Sequence, residues 1–393
     1  MNMNNKNWVS VWGNAVSIAE HHPEAYAKYI TLRYPVYIPF AGDTLRFTFD
    51  NYCGSEAVTV TRATVSAATS PVYEKMPLAC PCKKETICDI TFSKNESVTM
   101  EAHQTAVSDP VSFPVKKGMT LTVSLYFADF TLMQSAVLVT GPLSKGFFSL
   151  GDQTHADALP MDTTKTTNWF YFLSNIELMT AEENHTVICY GDSITAGAWP
   201  DYLTLLARQN PDNHTSFIRR ATSGSRVLRQ YECITYDSYG LKGTNRFPHE
   251  IPTTGADTVI IQQGINDIIH PVGIETNPFR PMSDLPTAKE LIDGYRYYIE
   301  EAKKSHLKVY MGTLLPIFGW RTYATFRDDL RNELNAWIRS AKEIDGCIDF
   351  DLALRGSENP SAFREGFDSG DHLHPSSKAY QAMAECAYEV LQR

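Results

Sequence analysis

Four short segments of the chain carry residue types that together suit nucleophilic catalysis at an acyl carbon. The first reads Gly191-Asp192-Ser193-Ile194-Thr195 and runs into a helical pattern that contains Tyr202, Leu203, Leu205 and Leu206. A serine between a strand end and a helix N-terminus is a candidate nucleophile, because the backbone N–H groups and the partial positive charge there favour a developing anion. The same residues also suit a simple helix cap, Ser193 helped by Asp192. In the second segment, Thr222-Ser223-Gly224-Ser225-Arg226, the glycine either brings its backbone N–H close to a substrate oxygen without a side-chain clash or merely makes a turn. In the third, Gln263-Gly264-Ile265-Asn266-Asp267, the Asn266 amide either donates to that same oxygen or forms an Asx turn or cap. The fourth is Asp368-Ser369-Gly370-Asp371-His372-Leu373-His374-Pro375. An aspartate three residues before His374 can reach ring Nδ1 and fix the tautomer, leaving Nε2 to take a proton from a hydroxyl. His372 and Asp368 compete for these roles, but a two-residue offset in an extended loop points His372 away from His374.

These pieces work only if the fold brings them together, and the hydrophobic pattern says how it would. Up to about residue 180 the pattern keeps returning to period two, as in Thr44–Phe49, Val58–Thr61 and Leu121–Leu125, with Gly and Pro punctuation and no helix of three turns between 31 and 180. That predicts an all-β sandwich with one buried face per strand. From His185 the strands read as short continuous apolar runs, at 186–190, 259–261, 307–311 and 347–350, with a weaker one at 216–218. Helical spacing follows at 291–302, 326–341 and 380–390. Five βα units predict a doubly wound parallel sheet, whose ligands bind beyond the carboxyl ends of the strands. All four chemical segments fall at such ends. The polar stretch Thr180–Asn184 marks the boundary, giving an accessory domain at 1–180 and a catalytic domain at 185–393.

Composition narrows the partners. Among 393 residues, 45 acidic against 35 basic side chains give a net charge of −10, so no global positive field attracts a phosphate backbone or an anionic membrane. A small-molecule or oligosaccharide ester is the expected partner, with neither nucleic acid nor membrane. No window supplies the ~18 apolar residues of a spanning helix, and the Asn-rich start, Met1–Asn7, lacks the apolar stretch of an export signal. Eight scattered cysteines, three of them in core-like runs, suit reduced thiols; a cytoplasmic protein is the expectation. Cys80-Pro81-Cys82 and Cys88 are too unevenly spaced for a structural zinc site, so neither a metal nor a cofactor is expected.

The order and spacing of Ser193, Gly224, Asn266 and His374, with Asp371 in an Asp-x-x-His arrangement, resemble the SGNH hydrolases, also called GDSL-type esterases. Thr31-Leu32-Arg33, Ser108-Asp109-Pro110-Val111, Gly312-Thr313-Leu314-Leu315-Pro316 and Ile348-Asp349-Phe350-Asp351 are similar to a bacterial branch with an N-terminal β-sandwich. The resemblance implies a flavodoxin-like α/β/α catalytic domain with five parallel strands. It also implies a Ser193–His374–Asp371 triad, with Ser193, Gly224 and Asn266 supplying the oxyanion hole, and small-acyl esters, often acetyl groups on sugars, as substrates. Ala196 stands where many members carry Asp, which would make the cleft rim less acidic. Trp199, Trp320 and Arg321 are expected to bind substrate, since aromatic faces stack on sugar rings; packing under a loop is the competing role for the aromatics. Two alternatives remain: a lipid or thioester acylhydrolase of the same mechanism, and a carbohydrate-binding protein with vestigial catalysis.

Overall fold

The structure, a computed structural model, describes residues 6–19 and 26–392. Residues 1–5, most of the Asn-rich start, lie outside that range. The chain divides into two compact units, Met1–Thr186 with Pro211–Ile218, and Val187–Asn210 with Arg219–Arg393.

Residues 6–181 are built mainly of antiparallel β-strands. One sheet runs in the order Lys6–Gly13, Leu173–Ala181, Gly42–Asp50 and Thr105–Val107, with Val111–Val115 also paired to Gly42–Asp50. A six-stranded sheet runs Lys165–Thr167, Gly146–Leu150, Ile30–Tyr37, Thr120–Phe127, Arg62–Ala67 and Cys88–Ile90. Alternation works as expected in Gly42–Asp50, where Leu45, Phe47 and Phe49 are fully buried. It fails in Thr120–Phe127, all eight residues of which are buried. There the polar face is covered by loops that close over Arg33. Its guanidinium donates to Ser124 Oγ at 2.9 Å and to the carbonyls of Cys80, Gln153 and Ala156. Thr122 meets Ser66 across the strands at 2.5 Å. Thr122 and Ser124 are thus satisfied by protein rather than by water, which period two alone does not distinguish.

The C-terminal half of the chain holds five parallel strands in the order Thr215–Ala221, His185–Gly191, Ala256–Gln262, Lys308–Gly312 and Gly346–Ile348. Numbered along the chain this is 2-1-3-4-5, the flavodoxin-like order, and the order in which strands are added reverses beside the first strand. The strand that leads into Ser193 is therefore an interior strand, with the strands that lead into Gly224 and Asn266 on either side. Helices Trp199–Arg208, Gly243–Glu250, Ala288–Lys304, Thr325–Ser340 and Ser377–Leu391 alternate with the strands. Their buried stripes match the expected spacing, for example Leu291, Tyr295, Tyr298, Ile299 and Ala302. Thr287 and Glu290 cap the Ala288–Lys304 helix reciprocally. The fifth strand is shorter than its apolar run, because Asp349 accepts from Leu352 N and turns Phe350–Leu354 into a helix. No helix among the described residues is long and apolar enough to cross a membrane.

Candidate active site

Gly191 ends the first parallel strand so tightly that a Cβ there would stand 2.3 Å from Gln262 O. The chain then turns into the single-turn helix Ser193–Ala196. Its cap is Asp192, whose carboxylate accepts from Ile194 N at 3.0 Å, so the Ser193 hydroxyl is not used as a cap. That hydroxyl lies 2.8 Å from His374 Nε2, and His374 Nδ1 lies 2.6 Å from Asp371 Oδ2. The other Asp371 oxygen accepts from the N–H groups of Leu373 and His374 and from Ser369 Oγ. Partial burial pushes the Asp371 carboxyl up, but the His374 ring and these backbone donors outweigh it and hold the pKa at about 2. The structure thus brings Ser193, His374 and Asp371 into one hydrogen-bonded line. Asp368 belongs to a separate pair with His372, and it also accepts from the N–H groups of Gly370 and His372.

Gly224 follows the strand on one side of Ser193. Its φ of +77° favours glycine, and a Cβ there would fall 2.3 Å from the Tyr239 ring. Thr222 N, two residues earlier, donates to Gly191 O at 3.1 Å, fastening this loop to the turn that carries Ser193. Asn266 follows the strand on the other side, buried in the short helix Ile265–Ile269, with its amide donating to Ser225 O at 3.1 Å. One N–H of that amide is so committed, which ties the Asn266 loop to the Gly224 loop. Two further bridges join the same loops. Gln263 donates to Ser225 Oγ at 2.8 Å, and the Asp267 carboxylate accepts from Val227 N and Leu228 N. Tyr298 and Tyr295 hold Gln263 in turn, through its side-chain and main-chain oxygens. Burial pushes the Asp192 carboxyl up to about 7 and that of Asp267 up to about 6.

Three expectations at the rim need correction or placing. Trp199 is fully buried, with its indole N–H on Thr195 Oγ1 and its ring 5.6 Å from that of Phe350, so it fills the core beneath the helix and does not face substrate. Ala196 is 3% exposed and lies in the interior, so it does not set rim polarity. Trp320 is half-buried and Arg321 exposed, with the Arg321 guanidinium 4.5 Å over the Trp320 ring. Gly319 beside them has φ +93°, and a Cβ there would stand 2.8 Å from the His372 ring. The Trp320–Arg321 loop therefore packs against the loop that carries His372 and His374. Among the described residues no group of three or more His, Cys, Asp or Glu side chains is placed to hold a metal ion.

Residues 189–382 match the model of the GDSL-like lipase/acylhydrolase family, a span that begins in the strand before Ser193 and ends beyond His374. Those residues are a GDSL-like lipase/acylhydrolase domain. No curated protein matches the chain. Similar solved structures include a GDSL-like lipase from Bacteroides thetaiotaomicron, 20% identical over 54% of this chain and 89% of that one, with a TM-score of 0.40. A variant of an acetyl xylan esterase from Geobacillus stearothermophilus is 17% identical over 53% of this chain and 95% of that one, with a TM-score of 0.40. A member of the lipolytic G-D-S-L family from Veillonella parvula is 17% identical over 53% and 99%, with a TM-score of 0.35.

The acylhydrolase domain holds residues near this site that sequence reasoning missed. Tyr239 packs on Gly224 and stacks on His270 with ring centroids 5.3 Å apart. His270 N donates to Asn266 O, and its Nδ1 lies 3.2 Å from Tyr231 Oη. Tyr231, Tyr236 and Tyr239 form one aromatic cluster. Only the density of Tyr in Tyr231-Glu232-Cys233-Ile234-Thr235-Tyr236-Asp237-Ser238-Tyr239, a loop segment without helix or strand period, hinted at it.

Proposed function

We propose that the chain is a serine esterase that hydrolyses short-chain acyl esters, acetyl above all, on carbohydrates, with catalysis in residues 185–393 and residues 1–180 as an accessory domain. The observation that carries the reading is the unbroken line from Ser193 Oγ to His374 Nε2 and from His374 Nδ1 to Asp371. His374 takes the hydroxyl proton as Ser193 Oγ bonds to the acyl carbon. The carbonyl oxygen becomes an oxyanion held by the backbone N–H groups of Ser193 and Gly224 and the remaining Asn266 amide N–H. Collapse breaks the bond to the alcohol oxygen, which takes the proton from His374. Water then adds to the acyl-enzyme by the same route and releases the acid and Ser193. Asp371 keeps the imidazole oriented and stabilises its charged form, a role suited to a carboxylate that stays ionised down to about pH 2.

A polar alcohol is supported by the cleft of about 410 Å³ beside the segment that follows Gly224. It is lined by Arg229, Gln230, Glu232, Lys242, Asn245 and Asp284, with Leu228 as its one apolar residue. Such a wall suits hydroxyl groups better than an alkyl chain. The test is hydrolysis of acetyl, butyryl and octanoyl 4-nitrophenyl esters by the full chain and by Ser193→Ala, with EDTA present. Fastest turnover on the acetyl ester, lowered on the order of 10⁶-fold in kcat by the substitution, is expected. Unchanged turnover in Ser193→Ala would overturn the mechanism, and a peak at octanoyl would overturn the short-acyl assignment.

A further inference from the structure

Arg280 is 8% exposed, yet among the described residues no carboxylate pairs with it and its Nε has no hydrogen-bond partner. Its position is fixed. The carbonyl of Arg280 accepts from both Val272 N and Gly273 N, and Arg280 N donates to Asn277 O at 3.0 Å. The guanidinium lies 4.3 Å over the Tyr236 ring and 5.8 Å from that of Tyr231, and Asn277 holds the Tyr236 hydroxyl at 2.7 Å. Arg226 adds a second buried guanidinium on the same Tyr231 ring, at 4.3 Å. Arg226 has an acid, Asp284 at 3.1 Å, but Asp284 is shared with Arg229 at 3.4 Å. Asp267 adds a further acid near Arg226, so Arg280 is the guanidinium of the cluster left without one, inside a chain whose net charge is −10.

Its surroundings agree. Burial holds His270 well below the usual histidine range, with Arg280, Arg226 and Arg321 pushing the same way. The imidazole beside these arginines is thus neutral and adds no further cation. Stacking on tyrosine offsets part of the cost of burying a guanidinium, but it leaves the fork of N–H donors unused. A buried arginine without an acid is costly unless a ligand brings one. The cluster also borders the chemistry, since Tyr239 contacts Gly224, Tyr231, Tyr236 and His270.

We propose that Arg280, with Arg226, forms a subsite for an oxyanion carried by the ester substrate, so that the natural alcohol is an acidic sugar and not a neutral one. This rests on the serine-esterase reading above. A carboxylate or a phosphate on the sugar would meet the guanidinium fork, and the exposed Phe279 ring beside the half-buried Tyr236 offers a surface for the sugar ring.

The experiment compares kcat/KM of the full chain on three acetylated substrates: a methyl glucuronide, the matching methyl glucoside and the matching glucoside phosphate. An acidic sugar is expected to be favoured over the neutral one on the order of 10- to 100-fold, as for a hydrogen bond to a charged group. The better of the two acidic sugars identifies the anion. Arg280→Gln should bring the ratio of acidic to neutral close to 1, and Arg280→Lys should keep part of it. Added salt should lower the ratio in the unmodified protein, a readout that does not depend on any variant folding. Equal turnover of acidic and neutral sugars by the unmodified protein, or an unchanged ratio in Arg280→Gln, would overturn the proposal. Loss of turnover on every ester, including 4-nitrophenyl acetate, would instead count against the esterase reading itself.

Discussion

Replacing Gly224 with alanine tests the oxyanion assignment through two separable penalties. The first is backbone conformation: at φ +77° an L-residue costs about 1–2 kcal/mol. The second is steric. The new Cβ would sit 2.3 Å from both Cδ1 and Cγ of Tyr239, more than 1 Å inside the 3.4 Å at which ordinary contact begins. Tyr239 has little room to yield, since it is wedged against Tyr231, Tyr236 and His270. The loop is expected to move instead and swing the Gly224 N–H off its target, lowering kcat on 4-nitrophenyl acetate about 10²- to 10³-fold, the usual cost of one oxyanion donor. Adding Tyr239→Ala removes the steric penalty and leaves the conformational one. The double variant should therefore recover part of the loss, with a coupling energy of about 1–3 kcal/mol from the four-member cycle. Thermal midpoints measured alongside separate loop movement from unfolding. A Gly224→Ala protein within threefold of the unmodified rate would refute the role given to this N–H. Strict additivity of the two substitutions would refute the steric argument.

Two further expectations concern stability. Asp192 is raised in the folded state from 3.8 to about 7, so its contribution to stability is fully present below pH ~4 and is lost as pH rises through ~7. Asp192→Asn keeps the cap on Ile194 but cannot ionise, so denaturation at pH 4 and pH 8 should show the variant gaining on the unmodified protein by up to ~4 kcal/mol. A difference that does not change with pH would refute this. Asp351 is 1% exposed and accepts from Arg331 at 2.7 Å, Arg339 at 2.6 Å and Arg355 at 3.2 Å. Asp351→Asn leaves the equally buried Arg331 with a weakened partner, and a loss of about 3 kcal/mol in urea unfolding is expected; a loss below about 1 kcal/mol would show that Asp328, which accepts from Arg331 Nε at 2.7 Å, suffices.

What could be read from the residues is what has a period or a fixed spacing. The five parallel strands and the long helices announced themselves through runs and three-four repeats, and the Asp-x-x-His spacing of Asp371 and His374 set a reach that the structure repeats at 2.6 Å. Direction around a helix was harder. Trp199 looked like a rim residue because it follows the turn at Ser193, but it opens the Trp199–Arg208 helix on its inward side, where Phe350 waits at the start of the Phe350–Leu354 helix, far away in sequence. Burial of polar residues was equally silent: Thr122 and Ser124 read as solvent-facing until Arg33 and its covering loops are placed over them. The Tyr231–His270–Arg280 cluster comes from two irregular loops that meet only in three dimensions, so no local pattern announces it.

The separation between Ser193 and His374, 181 residues, also orders events in time. At a synthesis rate of about 5–20 residues per second, Ser193 leaves the ribosome roughly 10–40 s before His374. Until the Ser377–Leu391 helix docks, with Tyr202 Oη on Ser377 Oγ at 2.7 Å and the Tyr380 hydroxyl filling the space above Gly197, the hydroxyl has no proton acceptor in place. On the proposed mechanism the nascent chain therefore carries an inert serine until this helix docks.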